Sequence, residues 1–140
     1  MSLPLVIIPV FNAIERLEAC LESLGRTVPP ETQILLIDDG STDDRVLPFL
    51  RSWVAEVNQY RHLRVHEHNQ GFVVTANHGL QLADTDAVLL NSDTEVTRGW
   101  LDRLLACLDS DTSIATATPW SNNGEIVSIP EFCVANPPPD

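Results

Sequence analysis

The chain has no lysine. Its eight basic residues are all arginine, set against twenty acids, and the formal net charge is −12. Mechanisms that need a lysine are excluded outright. A surface of this sign repels nucleic acid and anionic membrane, so nucleic acid is not an expected partner and any membrane contact is peripheral. Cysteine is scarce too. Cys20, Cys107 and Cys133 are odd in number and widely spaced, which suits buried thiols in a reducing cytoplasm better than a disulfide framework. Long apolar runs are missing: the longest, such as Ile34 to Ile37, have strand length and fall far short of the ~20 residues of a membrane span. The opening MSLPLVIIPV has no basic start and no small-residue cleavage site. It does not read as a signal peptide, and the expected location is the cytoplasm, at most the inner face of the membrane.

What is present suits one compact unit: 140 residues, 44% of them hydrophobic, are enough for one core and too few for two domains. Leu5 to Val10 is β-rich and bounded by prolines, a first strand. Ala13 to Leu24 places Ile14, Leu17, Leu21 and Leu24 on one helical face and Glu15, Glu18 and Glu22 on the other, with Gly25 as the C-cap. Gln33 to Ile37 predicts a second strand. A helix follows from about Asp43 to Val57, capped by Ser41 or Thr42 and kinked or broken at Pro48. Leu63 to Glu67, Ala87 to Leu90 and Ile114 to Thr118 predict further strands; Gly71 to Leu82 and Gly99 to Leu108 predict helices. Trp53, Trp100 and Trp120 read as core. Alternating strands and helices imply an α/β fold, a mostly parallel sheet with helices on both faces. Ligands on such sheets bind beyond the carboxyl ends of the strands, which selects Pro9–Asn12, Asp38–Ser41, His68–Gly71 and Asn91–Glu95.

Those loops carry the polar chemistry. DDGSTDD, Asp38 to Asp44, has an ordinary explanation as a turn and a helix cap; its acids do not have EF-hand spacing. In NSDTE, an extended backbone would point Asn91, Asp93 and Glu95 the same way. Three oxygen donors on one side suit Mg²⁺ or Mn²⁺, which complete their shells from phosphate and water; the ordinary alternative is a solvated strand end. A diphosphate in a cleft this acidic needs a cation between them. HEHNQGF puts His66 and His68 on one strand face, but no cysteine or second histidine pair completes a zinc site. Asn69 and Gly71 instead suggest a turn that lets backbone approach a ligand, with Asn77 and Gly79 following on the helix. Neither G-x-x-x-x-G-K-[ST] nor G-x-G-x-x-G occurs, so neither a P-loop nor a dinucleotide site is supported.

Together VIIPVFNA, IDDGSTDD, NQGFVVTANHGL and LLNSDTEVTRGWLDRL, in this order and spacing, resemble the N-terminal half of a family 2 glycosyltransferase with the GT-A (nucleotide-diphospho-sugar transferase) fold. The resemblance covers roughly residues 4 to 130. It implies that Pro9, Val10, Phe11 and Asp39, with Asp38 beside it, hold the base and ribose of a UDP- or dTDP-sugar. It implies Asn69, Gly71 and Asn77 along the nucleotide pocket. The acidic motif Asn91-Ser92-Asp93 would hold Mn²⁺ or Mg²⁺ against the diphosphate, Asp93 as the principal ligand and Asn91 in support. The family's motif is Asp-x-Asp, so Asn91 removes a charge; the register Asp93-Thr94-Glu95 would restore two carboxylates and ranks second. NSDTEV and the later PWSNNGE are similar to transferases of the rhamnosyltransferase and O-antigen type, implying bacterial polysaccharide biosynthesis.

Family members are longer, and the base that deprotonates the acceptor hydroxyl lies well downstream of the metal motif. This chain ends 47 residues after Asp93, so the expectation is a truncated, donor-binding part without that base; Glu125 and Glu131 can be nominated, but nothing in their setting supports either. The expected organisation is a nucleotide-sugar-binding domain over 1–130 and a loop or cut end over 131–140. The expected function of the parent is inverting transfer to a glycan or lipid-linked acceptor. One rival is a non-catalytic nucleotide-binding or assembly module of the same fold. Another, a signalling receiver domain, pairs its acids after strand one and needs a lysine; here Asp38 and Asp39 follow strand two and lysine is absent.

Overall fold

The computed structural model describes residues 3–57 and 59–138. Two compact units follow one another along the chain, Met1–Arg98 and Gly99–Asp140. The first unit runs β1 (Leu5–Val10), α1 (Ile14–Thr27), β2 (Ile34–Asp38), α2 (Val46–Glu56), β3 (Arg61–Val65), α3 (Phe72–Gln81) and β4 (Ala87–Leu89). The strands form one parallel sheet in the order β3-β2-β1-β4, with Val6 opposite Ile34 and Leu5 opposite Ala87. This is the α/β architecture the alternation predicts.

The two central strands explain the sequence pattern. Val6, Ile7, Ile8, Leu36 and Ile37 are wholly buried, so both faces of β1 and β2 are covered and no polar residue can alternate with them. On one face α3 lies directly on the sheet: a Cβ on Gly79 would sit 2.4 Å from Ile7 Cγ2, so this helix comes as close as it does because residue 79 has no side chain. Leu17, Leu21 and Leu24 of α1 and Val46 and Leu50 of α2 are also buried, each set at helical spacing.

Several boundaries differ from the sequence expectation. Helix α1 runs through Gly25 to Thr27, closed by the Val28 N–H to Leu24 C=O bond. Helix α2 begins at Val46, and neither Ser41 nor Thr42 caps it, because both are engaged with Asn12. Pro48 therefore falls in the first turn of α2, where its missing N–H costs nothing and no kink is needed. Trp53 is buried, with the Arg61 guanidinium 3.7 Å above its ring.

The second unit holds α4 (Trp100–Asp109) and a 3₁₀ turn, Glu125–Val127. Ile114 to Thr118 forms no strand: Ile114 closes a turn on Asp111, and no ladder partner meets the segment among the described residues. Trp120 is 67% exposed rather than core, and Cys107 and Cys133 are exposed where buried thiols were expected; Cys20 alone is buried. The segment from 131 carries no helix or strand but is held by Asn136, whose carboxamide donates to the carbonyls of Asn122, Glu131 and Val134. Residues 139–140 and the Glu125 side chain lie outside the described residues. No described helix is long and apolar enough to cross a membrane.

Candidate functional site

Four loops leave the carboxyl edge of the sheet and meet around one open cleft of about 820 Å³. Pro9, Val10 and Phe11 line it from β1 and its loop, Asp39 from the loop after β2, Asn69 and Gly71 from the loop after β3, and Asn91, Ser92 and Asp93 from the loop after β4. Of the expected nucleotide-binding residues, Asn77 and Asp38 are not in the lining; Asn77 is exposed on α3. Thr75, fully buried, faces inward instead, and a residue two further along a helix points ~200° away. Asp38, implied beside Asp39, lines a separate cleft with Gly40, Asp43 and Glu67. The sequence reading missed Arg16, Phe72 and Thr75, which also line the main cleft. Arg16 is the one basic side chain in that lining.

The loops are fastened to one another. Asn12, at φ 55°, accepts the backbone N–H groups of Thr42 and Asp43 on Oδ1 at 2.8 and 3.0 Å. Its own N–H donates to Ser41 Oγ at 2.9 Å, which joins the loops after β1 and β2. Gly40 joins the second loop to the third. Its φ is +68°, and a Cβ there would lie 2.6 Å from the His68 carbonyl carbon and 2.7 Å from the Asn69 nitrogen.

Asp39 sits at the centre of this arrangement, 3% exposed. Its Oδ1 accepts from the Gln70 N–H at 2.9 Å and from His66 Nδ1 at 2.8 Å, and its Oδ2 from the Gly71 N–H at 2.9 Å. Burial alone would raise its carboxyl pKa. Donors outweigh it: His66, the Gln70 N–H, the Thr75 hydroxyl and the Gly71 N–H hold the group below the usual carboxylate range. The Thr75 hydroxyl acts at longer range, being buried without a partner in hydrogen-bond geometry. His66 continues to His78, Nε2 to Nδ1 at 2.9 Å. His66 thus turns to Asp39 and not, with His68, to a shared ion; no group of three His, Cys, Asp or Glu is placed to hold a metal ion by itself among the described residues.

The fourth loop is not extended. The Thr94 N–H donates to the Asn91 carbonyl at 3.2 Å and closes a turn with Ser92 and Asp93 at its centre. Asn91, Asp93 and Glu95 therefore do not line up as strand neighbours, and Glu95 is not in the cleft lining. Helix α1 clamps the loop at both ends. The Cys20 thiol reaches the Asn91 carbonyl at 3.6 Å, and the Val96 N–H donates to Ser23 Oγ at 3.0 Å. Burial pushes the Cys20 thiol up to about 11 against a lowering bond at Thr94, with the Asp93 and Glu95 charges adding to the rise.

The donor set tests the expected cation. One carboxylate, Asp93, stands beside the Asn91 amide and the Ser92 hydroxyl. That is too little for a resident ion held by protein alone, yet it fits Mg²⁺ or Mn²⁺ that takes most of its shell from phosphate and water.

Comparison with known proteins agrees with this geometry. Residues 5–131 match the family model described as Glycosyl transferase family 2. The uncharacterized glycosyltransferase YibD of Escherichia coli K12 is 34% identical over 113 residues, covering 79% of this chain and 32% of YibD. The chain therefore spans about a third of that relative's length. The mannosyltransferase PcManGT of Pyrobaculum calidifontis, in complex with GDP-Man and Mn²⁺, superposes with a TM-score of 0.70 at 21% identity, covering 81% of this chain and 34% of that one. TarS of S. aureus in complex with UDP gives 0.67 at 22% identity, covering 89% and 40%. The structural likenesses establish the GT-A fold, and the family match over almost the whole length establishes that the chain belongs to glycosyl transferase family 2.

Proposed function

We propose that the first unit is the donor site of an inverting glycosyltransferase, binding a UDP- or dTDP-sugar with Mn²⁺ or Mg²⁺ in the cleft. The observation that carries the reading is the convergence of four loops, separated in sequence, on one cleft built around a buried, hydrogen-bonded carboxylate. The exposed Phe11 and Phe72 rings offer apolar faces to a base. Asp39 accepts a hydrogen bond from the base or ribose, and Arg16 supplies positive charge toward the diphosphate. Asp93, with Asn91 and Ser92, holds the cation. Such a cation, when bound, supplies Lewis-acid stabilisation of the leaving diphosphate. The chain's own contribution is to fix the donor so that an acceptor oxygen meets the anomeric carbon from the side opposite the leaving group.

Asp39 and Asp93 are the carboxylates in the cleft lining, and both are assigned to the donor. The base acting on a glycan or lipid-linked acceptor therefore lies outside this lining. A deoxyhexose donor follows from the rhamnosyltransferase-type resemblance of NSDTEV and PWSNNGE, and the cytoplasm supplies such donors. Asn91 in the family's first acidic place favours one alternative, a nucleotide-binding module without efficient transfer.

Thermal unfolding with UDP, dTDP and GDP, with and without Mn²⁺, tests the site. Ligand at ~100 times its dissociation constant adds about 2.7 kcal/mol, several degrees at this size. The shift should need Mn²⁺ and vanish in Asp93→Ala. A cooperatively folding protein that shows no shift with any nucleotide would sink the donor-site reading.

A further inference from the structure

Asp39 does not end in solvent. A line of hydrogen bonds runs from its carboxylate through two histidines, neither of which has been given a role in donor binding. His66 Nδ1 lies 2.8 Å from Asp39 Oδ1, and His66 Nε2 lies 2.9 Å from His78 Nδ1. The two ring planes lie 10° from parallel with centroids 5.2 Å apart, the arrangement of rings that meet edge to edge through that hydrogen bond. The side chains of His66 and Asp39 are 8% and 4% exposed, so water does not compete for these bonds.

The chemistry fixes the protons. An ionised carboxylate only accepts, so His66 Nδ1 carries the hydrogen. In a neutral His66 ring, Nε2 is then a bare acceptor, and His78 must donate to it from Nδ1. A proton taken up at His78 Nε2 would let the bridging hydrogen move from His78 Nδ1 to His66 Nε2. The added charge then appears on the ring that touches Asp39, and no hydrogen bond in the line is lost. The groups around His66 are Asp39, His78 and, across the second cleft that it lines, Asp38, Asp43, Asp44, Glu67 and Arg51. Of these, Asp39 and His78 are hydrogen-bonded to its ring, and the Asp38 carbonyl accepts its backbone N–H.

We propose that His66 and His78 are positioning residues for the nucleotide base: they orient the Asp39 carboxylate and set its strength as an acceptor. The inference rests on the donor-site reading and adds a specificity device to it. A full acceptor at Asp39 prefers a base that presents an imide N–H, as uracil does at N3, over cytosine, whose N3 accepts. Held in place by His66, the acceptor lone pairs of Asp39 face the base in one fixed orientation.

The test compares UDP with CDP, both with Mn²⁺, by calorimetry at ~pH 8, above the range where histidine ordinarily takes up a proton. The diphosphate and the cation are common to both ligands, so the ratio of their affinities reports the base. The wild type should prefer UDP. His66→Ala should lose about tenfold of that preference, the worth of one hydrogen bond to a charged group. His66→Asn keeps a donor near Asp39, so it should restore most of the preference. Imidazole ¹⁵N spectra of the ligand-free protein should show His66 and His78 both protonated on Nδ1 at pH 8, and His78→Ala should alter the His66 signals. If His66→Ala fails to fold, His66→Asn and His78→Ala carry the test. A folded His66→Ala protein with the wild-type preference, or, if that variant does not fold, a His78→Ala protein with unaltered His66 signals, overturns the inference while leaving the donor site standing. A wild type that binds neither nucleotide sinks the donor-site reading and this inference with it.

Discussion

Replacing one glycine at a time by alanine asks whether the loops are held as described. Gly40→Ala adds a methyl group where φ is +68°, a backbone conformation that costs a residue with a Cβ about 1–2 kcal/mol. The methyl would also sit 2.6–2.9 Å from backbone atoms of His68 and Asn69. Backbone cannot swing aside as a side-chain end can, and overpacking of this kind costs about 1–3 kcal/mol more. The sum is about 2–5 kcal/mol, a loss of at least ~6 °C in melting temperature for a chain of this size. Gly25→Ala is the control. Gly25 lies within α1 with nothing inside 4 Å of the added methyl, so alanine there should gain about 0.5–1 kcal/mol. Urea unfolding and thermal melts of both variants give the comparison, and nucleotide titration supplies a second readout. Gly40→Ala should weaken UDP binding because it displaces the loop that carries Asn69 and Gly71. A Gly40→Ala protein that melts within about 1 °C of wild type and binds UDP normally would refute the account of how the second and third loops meet.

Asp39→Asn should destabilise the protein at neutral pH, since the new amide must turn its NH₂ either toward the Gly71 N–H or toward the Gln70 N–H and His66 Nδ1, donor against donor. The folded carboxyl lies below its ordinary value of 3.8, so the native state binds fewer protons than the unfolded one as the pH falls past that value. The stability this group supplies is present above the unfolded pKa and is lost as the pH falls through the folded one. Urea midpoints from pH 6 to pH 3 should decline in the wild type and decline less in Asp39→Asn; equal slopes would contradict the described bonding. Ser23→Ala removes the oxygen that accepts from the Val96 N–H and should cost about 1–3 kcal/mol. Because Ser23 clamps the loop that carries Asp93, the Mn²⁺ concentration needed for nucleotide binding should also rise; an unchanged metal requirement would show that the clamp does not serve the site.

The strands and helices of the first unit could be read from the sequence because their signals are local. Unbroken apolar runs at Leu5–Val10 and Ile34–Ile37 reflect burial on both faces, and the spacing of Leu17, Leu21 and Leu24 gives a helix face without knowledge of any partner. The same periodicity fixed which loops lie at the carboxyl edge, and with them Pro9, Asp39, Gly71 and Asp93. It failed where a residue's role depends on a distant neighbour. Ser41 and Thr42 look like helix caps, yet both bond to Asn12, about thirty positions away. Asn91 to Glu95 looks like a strand end and is a turn clamped by α1, with Ser23 meeting Val96 across 73 positions. His66 and His68 share a strand face in the sequence without completing a zinc site, and nothing local shows the partners the fold gives His66, Asp39 and His78. What neighbours along the chain encode, the sequence determined. The hydrogen bonds that orient the site join residues far apart along the chain, and only the packed sheet brings them within 3 Å.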